Sequence, residues 1–263
     1  MSIKDFPIGV FDSGVGGTSI LKELMKALPH ERFIYLADSK NAPYGTKPVD
    51  EIIKLSQKNT THLISKKVKL IVVACNTATT NAISILRESH QLPFIGIEPA
   101  IKPAALQTKS KSIGILATKG TLSSALFEKA SELFKKDINI TEVEGKGIVE
   151  AVENGETENK DFQKNLKKQV DIFKDNAIDC LVLGCTHYPY IKKDLKILLP
   201  GIKIIDSGYA VAKQTKRILI DNKILQDEPK KQIVDIYTNA NNLKVIDQIF
   251  KNQTKVNCQF LDF

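Results

Sequence analysis

A chain of 263 residues, 42% hydrophobic and 26% charged, has the composition of a soluble globular protein and fills one large or two modest domains. No apolar run approaches the roughly 20 residues that span a bilayer, and residues 1–7 carry no secretory signal, which excludes a membrane partner and predicts a cytoplasmic location. The net charge of +8 raises nucleic-acid binding, but the lysines are scattered, as over residues 164–174, and no aromatic residues interleave with them; they read as solvated surface, and no nucleic-acid partner is expected.

The first half alternates strands and helices. Ile8-Gly9-Val10-Phe11 predicts a strand, and residues 18–28 a helix with Ile20, Leu21, Leu24, Met25 and Leu28 on one face. Further strands are predicted at 33–36, 70–74 and 93–97. The second half repeats this order: Ile113-Gly114-Ile115-Leu116 echoes the first strand, Ile138 stands where Phe33 does, Val182 where Val72 does, and Ile204 where Ile95 does. One short insertion between the second and third strands adjusts the spacing. Such alternation predicts an α/β fold of two similar doubly wound parallel-sheet lobes, related by a pseudo-two-fold axis, with an active site between them. From residue 205 the tail adds a helix at 209–219, a strand at 233–237, a helix at 243–250 and a strand at 256–261, all outside the repeat. Residues 153–160 read as an exposed loop.

Ligands of parallel sheets sit at the carboxyl ends of the strands. Strand one ends in Asp12-Ser13-Gly14-Val15-Gly16-Gly17. This run lacks the third glycine of a dinucleotide loop, since Ser19 stands there, and no phosphate-loop lysine follows. It reads instead as a tight turn whose backbone N–H groups face an anion such as a carboxylate. The loop after strand two carries Pro43, Tyr44 and Gly45. Ile71-Val72-Val73-Ala74 ends in Cys75-Asn76-Thr77, and Leu181-Val182-Leu183-Gly184 ends in Cys185-Thr186-His187. A cysteine on an apolar strand can be no more than a small buried hydrophobe, and Cys180 and Cys258 read that way. Cys75 and Cys185 stand at equivalent points of the two halves, each before a helix-like pattern that favours a thiolate, and read as an opposed pair of acid/base groups. His187 reads as a polariser or substrate contact, and Asp12 as a helix cap or a group facing the cleft. With four cysteines, no Cys-x-x-Cys and no paired-histidine spacing, neither a disulfide framework nor a metal site is expected.

These motifs resemble the glutamate racemases of the aspartate/glutamate racemase superfamily. The resemblance is carried by residues 9–17, by Pro43-Tyr44-Gly45, by Ala74-Cys75-Asn76-Thr77-Ala78 and by Gly184-Cys185-Thr186-His187-Tyr188-Pro189, and runs from about residue 8 to about residue 208. Lys40-Asn41-Ala42 departs from the commoner pattern. The resemblance implies a cofactor-independent racemase that interconverts L- and D-glutamate by a two-base mechanism and supplies D-glutamate for peptidoglycan. It implies Cys75 and Cys185 as the proton-transfer residues. Asp12, Ser13, Pro43, Tyr44, Gly45, Asn76, Thr77, Thr186 and His187 would contact substrate, with Thr118, Thr121 and Glu150 auxiliary near the second cysteine. It also implies a discontinuous first lobe, 1–98 plus 208–263, around a second at 99–207. Homodimers are common in the family. No extension precedes the first strand, so activation by a cell-wall precursor is not expected. The alternatives are a racemase of aspartate or a hydantoin, and a non-catalytic two-lobed anion-binding protein.

Overall fold

Short runs of Ile, Val, Leu and Phe become strands buried on both faces, as parallel strands covered by helices must be. The computed structural model of the chain describes residues 2–251, 253 and 255–263. In chain order its elements are β1 (Ile8–Asp12), α1 (Thr18–Ala27), β2 (Phe33–Ala37), α2 (Val49–Ser65), β3 (Leu70–Val73), α3 (Asn76–Ser89), β4 (Phe94–Gly96) and α4 (Ile101–Gln107). Then follow β5 (Ser112–Ala117), α5 (Lys119–Leu122), α6 (Ala125–Glu132), β6 (Asn139–Glu144), α7 (Ile148–Asn154), α8 (Lys160–Asp175), β7 (Cys180–Gly184), α9 (Lys192–Leu198) and β8 (Lys203–Ile205). The tail supplies α10 (Gly208–Asp221), β9 (Val234–Thr238), α11 (Leu243–Ile249) and β10 (Val256–Phe260). Among the described residues no helix is long and apolar enough to cross a membrane.

The strands form two parallel sheets, one of six strands ordered β10-β9-β2-β1-β3-β4 and one of four ordered β6-β5-β7-β8. The order β2-β1-β3-β4 recurs as β6-β5-β7-β8, so the repeat in the sequence is a repeat of topology. Ile8 pairs with Phe33 and Leu70, and Ile113 pairs with Ile140 and Cys180. The counterpart of Phe33 is therefore Ile140 rather than Ile138, and that of Phe94 is Ile204, since Ile71 pairs with the one and Leu181 with the other. The tail falls outside the repeat because β9 pairs with β2 and widens the first sheet, while α10 packs on α1.

Of residues 153–160, 155–159 form the expected loop between two helices, and the ends differ. Glu153 and Asn154 close α7, which ends where Gly155 takes a left-handed φ of 71°. Lys160 begins α8, capped by Asn159, whose side chain accepts from Asp161 N at 2.8 Å. Glu153 is buried.

At the end of the first sheet away from the strand tips that carry the cysteines, Lys69 and Glu31 form a buried ion pair of 2.6 Å. Lys69 Nζ also donates to Lys4 O at 2.7 Å, and Glu31 accepts from Gln226 N at 2.9 Å, tying together the amino terminus, β2, β3 and the tail. Removing one partner strands the other charge in the core, so Lys69→Met should cost about 3–5 kcal/mol in urea unfolding. Adding Glu31→Gln should recover much of that loss. A single-variant loss under about 1 kcal/mol would contradict this.

Candidate active site

β1, β2 and β3 of one sheet and β5 and β7 of the other deliver their carboxyl ends to one buried cleft. One cavity there is lined by Ser13 after β1, by Pro43, Tyr44 and Gly45 after β2, and by Cys75, Asn76 and Thr77 after β3. The facing side is Thr118, Val149, Cys185, Thr186 and His187. Apart from Val149, each is a residue the sequence singles out. The walls nearly touch, leaving room for about one water. A Cβ on Gly45 would fall 2.7 Å from Thr118 Cβ, so only glycine lets the lobes meet there. Thr121 lies just behind the wall, where its hydroxyl and those of Thr77 and Thr118 are 2.9–3.3 Å apart. These threonines join the two lobes, and Thr118 follows Ala117, which pairs with Gly184 just before Cys185.

Cys75 is the N-cap of α3: its Sγ accepts from Ala78 N at 3.4 Å and donates to Ser13 Oγ at 3.7 Å. Burial first, and then the charge of Asp12, push the Cys75 thiol well above the usual range, overriding the two hydrogen bonds. At neutral pH in this closed state it holds its proton. Cys185 has no α-helix at its back. A short 3-10 helix, Tyr188–Ile191, follows, so the expected helix mouth is absent at the second thiol. Its polar neighbour is instead His187, with Nδ1 3.7 Å from Sγ. All four cysteines are free.

Asp12 lies beneath the cavity, fully buried. Its Oδ2 accepts from Gly17 N at 2.7 Å and Gly14 N at 3.3 Å, while Thr186 Oγ1 donates to Oδ1 at 3.4 Å. Burial pushes its carboxyl up to about 6, against the pull of His187 and the Gly17 N–H. The glycine turn therefore does face carboxylates, but they are the protein's own. Val15 N donates to Glu153 Oε1 at 2.6 Å. A Cβ at Gly14 would overlap that carboxylate at 1.9 Å.

Glu153 is a buried carboxylate beside the cavity that the sequence leaves unmarked. Its Oε1 stands 2.6 Å from His187 Nε2, and its Oε2 accepts from Ser39 Oγ at 2.7 Å and Asn242 Nδ2 at 3.1 Å. Glu150, one turn earlier, is exposed and lines none of the cavity, which corrects its assignment. Burial alone would lower the His187 pKa; hydrogen bonds and charge from Cys185 and Glu153 more than offset this and leave it well above its ordinary value. The imidazolium so favoured is the only cation among the groups described around Asp12 and Glu153. Helix α7 has seven residues, five of them buried, too short a stretch for its pattern to reveal Glu153. The left-handed Gly155 after it is the one clue that a helix ends there.

The Asp/Glu/Hydantoin racemase family profile matches residues 8–215. The chain is 45% identical over 253 residues to the glutamate racemase of Clostridium novyi, covering 95% of this chain and 98% of that one. Among solved structures it resembles glutamate racemase isoform RacE1 of Bacillus anthracis, with a TM-score of 0.87, 30% identity and coverage of 98% of this chain and 99% of that one. It also resembles the glutamate racemase of Francisella tularensis in complex with D-glutamate, with a TM-score of 0.84, 29% identity and 98% of each chain covered.

A histidine whose pKa is raised on folding contributes stability that is complete below its unfolded value, about 6.5, and is lost as the pH rises through the folded value. The stability advantage of the wild-type chain over His187→Gln should therefore shrink as the pH rises above about 6.5 in thermal unfolding. An advantage that stays flat or grows with pH would contradict the charged pairing.

Proposed function

The chain belongs to the Asp/Glu/hydantoin racemase family of isomerases, and from that membership we propose that it is a glutamate racemase. It interconverts L- and D-glutamate without a cofactor, by proton transfer between Cys75 and Cys185. The observation that carries this reading is the pair of free thiols on one cavity at equivalent strand ends of two lobes. Racemisation takes a proton from one face of Cα and returns one to the other. Two opposed groups do this without either moving around the carbon. For one hand of glutamate, Cys185 as thiolate removes the proton while Cys75, which holds its own, delivers one from the opposite face. For the other hand the roles exchange.

The surroundings suit these roles. His187, held by Glu153, stands with its Nδ1 beside the Cys185 sulfur. Asp12 sets a negative charge near Cys75, which favours the thiol. Asn76 Oδ1 is buried on the cavity wall with no hydrogen-bond partner among the described residues, an acceptor free for the substrate ammonium. Backbone and hydroxyl donors around Thr77 and Thr186 would stabilise charge developing on the α-carboxylate as the Cα proton leaves. Because the cavity is nearly filled, the lobes part to admit glutamate and close on it to exclude water. We take residues 1–98 with 208–263 as one lobe and 99–207 as the other, since the two sheets draw their strands from these stretches. The product would feed peptidoglycan synthesis.

The test is incubation of the purified chain with L-glutamate in heavy water, without pyridoxal phosphate and with a chelator, followed by circular dichroism and proton NMR. Optical activity and the Cα proton signal should decay together. Cys75→Ser and Cys185→Ser should each lower the rate by at least about a thousandfold, the scale of losing a positioned acid/base group. Wild-type racemisation by either variant would remove the two-base mechanism. Inertness toward glutamate with turnover of aspartate or a hydantoin would move the substrate assignment, and tight anion binding without turnover would favour a binding protein.

A further inference from the structure

Behind the wall that carries Tyr44 lies another buried carboxylate, Asp38, which neither the motifs quoted above nor the proton transfers use. It is fully buried and has no ion-pair partner among the described residues. Every group around it is a neutral donor. Asn41 Nδ2 donates to Oδ1 at 2.8 Å and Asn239 Nδ2 to the same oxygen at 2.5 Å. Tyr44 donates its hydroxyl to Oδ2 at 2.5 Å, with Asn59 Nδ2 at the limit of 3.5 Å. Asn59 Nδ2 also donates to Tyr44 Oη at 3.1 Å, so the hydroxyl's own proton can only go to Asp38. Asn239, from the turn after β9, completes the clamp: its Oδ1 accepts from Lys40 N at 2.9 Å. The tail therefore grips the start of the loop that runs from Asp38 to Tyr44, at Asp38 and at Lys40.

A buried carboxylate with no cation is tolerated only where its acceptors are all used. Here the use is directional. Tyr44 is fixed at its far end by Asp38, while the backbone on either side forms the Pro43–Gly45 wall of the cavity, pressed against Thr118 of the other lobe. We propose that Asp38 is a positioning residue that sets this wall through Tyr44, and that Asn239 of the tail holds Asp38 in place. Substrate affinity then depends on a tail residue that does not line the cavity. The inference rests on the proposed function only in taking glutamate as the probe.

Asp38→Asn turns an amide toward donors that need an acceptor. The KM for both hands of glutamate should rise at least about tenfold while kcat stays within about threefold. The double variant that combines Asp38→Asn with Asn239→Asp exchanges the two side chains and offers a solution to the same network. The amide at position 38 accepts from Tyr44 and donates to the carboxylate at position 239, which still accepts from Lys40 N, and its second N–H goes to Asn41 Oδ1 once the Asn41 amide turns over. The exchange should bring KM back to within about threefold of the wild type. A residue needed only for folding would lower the melting temperature and leave KM alone. Asn239→Ala, outside the cavity, is the second variant should Asp38→Asn not fold, and its KM should rise at least about threefold. The rate of Cys75 alkylation by iodoacetamide provides a readout that does not depend on turnover: it should rise about tenfold in Asp38→Asn or about threefold in Asn239→Ala, and return in the exchanged pair. Absence of glutamate turnover in the wild type would sink the function and leave the alkylation rates to decide on Asp38. Unchanged KM and unchanged alkylation in folded variants, or no rescue by exchange, would overturn the proposal.

Discussion

A single carboxylate, Glu153, is shared by both halves of the molecule. It rides on α7 of the second half, yet it accepts from Val15 N, Ser39 Oγ and Asn242 Nδ2 of the first half as well as facing His187. A buried charge is costly unless its oxygens are fully partnered, and these partners come from three separate stretches of the chain. The glycine turn after β1, the loop after β2 and the tail must all be in place for Glu153 to be satisfied. Once it is, His187 is oriented toward Cys185.

The two thiols are alike in sequence context and unlike in environment. Cys75 caps a long helix and is set among neutral hydroxyls and a buried aspartate, whereas Cys185 has a 3-10 turn behind it and an imidazolium at its side. A duplicated fold thus supplies two symmetric strand ends, and the side chains set around them differ.

Much of this was legible in the residues. Apolar strands with period and order, the repeat of β2-β1-β3-β4 in β6-β5-β7-β8, and cysteines at matched strand ends follow from local composition, because buried parallel strands have little freedom in what they contain. Helix α2 carried no assignment, since its face of Ile52, Ser56, Asn59, Thr60 and Leu63 is half polar. Of those polar positions, Asn59 serves the Tyr44–Asp38 network and Ser56 Oγ donates to Ile52 O. The spacing of the repeat slipped at Ile138 because β6 is an edge strand, more weakly patterned than those inside the sheet. Glu153 was hidden in a polar run, and Asp38–Asn239 joins residues some two hundred positions apart. Neither has a spacing to read; both depend on how the tail returns to the first sheet.

The central claim, that two opposed thiols each serve one face of Cα, is tested most directly by the early time course of L-glutamate in heavy water, with each enantiomer's Cα deuterium content measured separately. A two-base relay predicts that the first D-glutamate formed carries deuterium at Cα while the remaining L-glutamate keeps its proton. Deuterium entering L-glutamate as fast as D-glutamate appears, or D-glutamate that retains the original proton, would mean that one group serves both faces and would contradict the account.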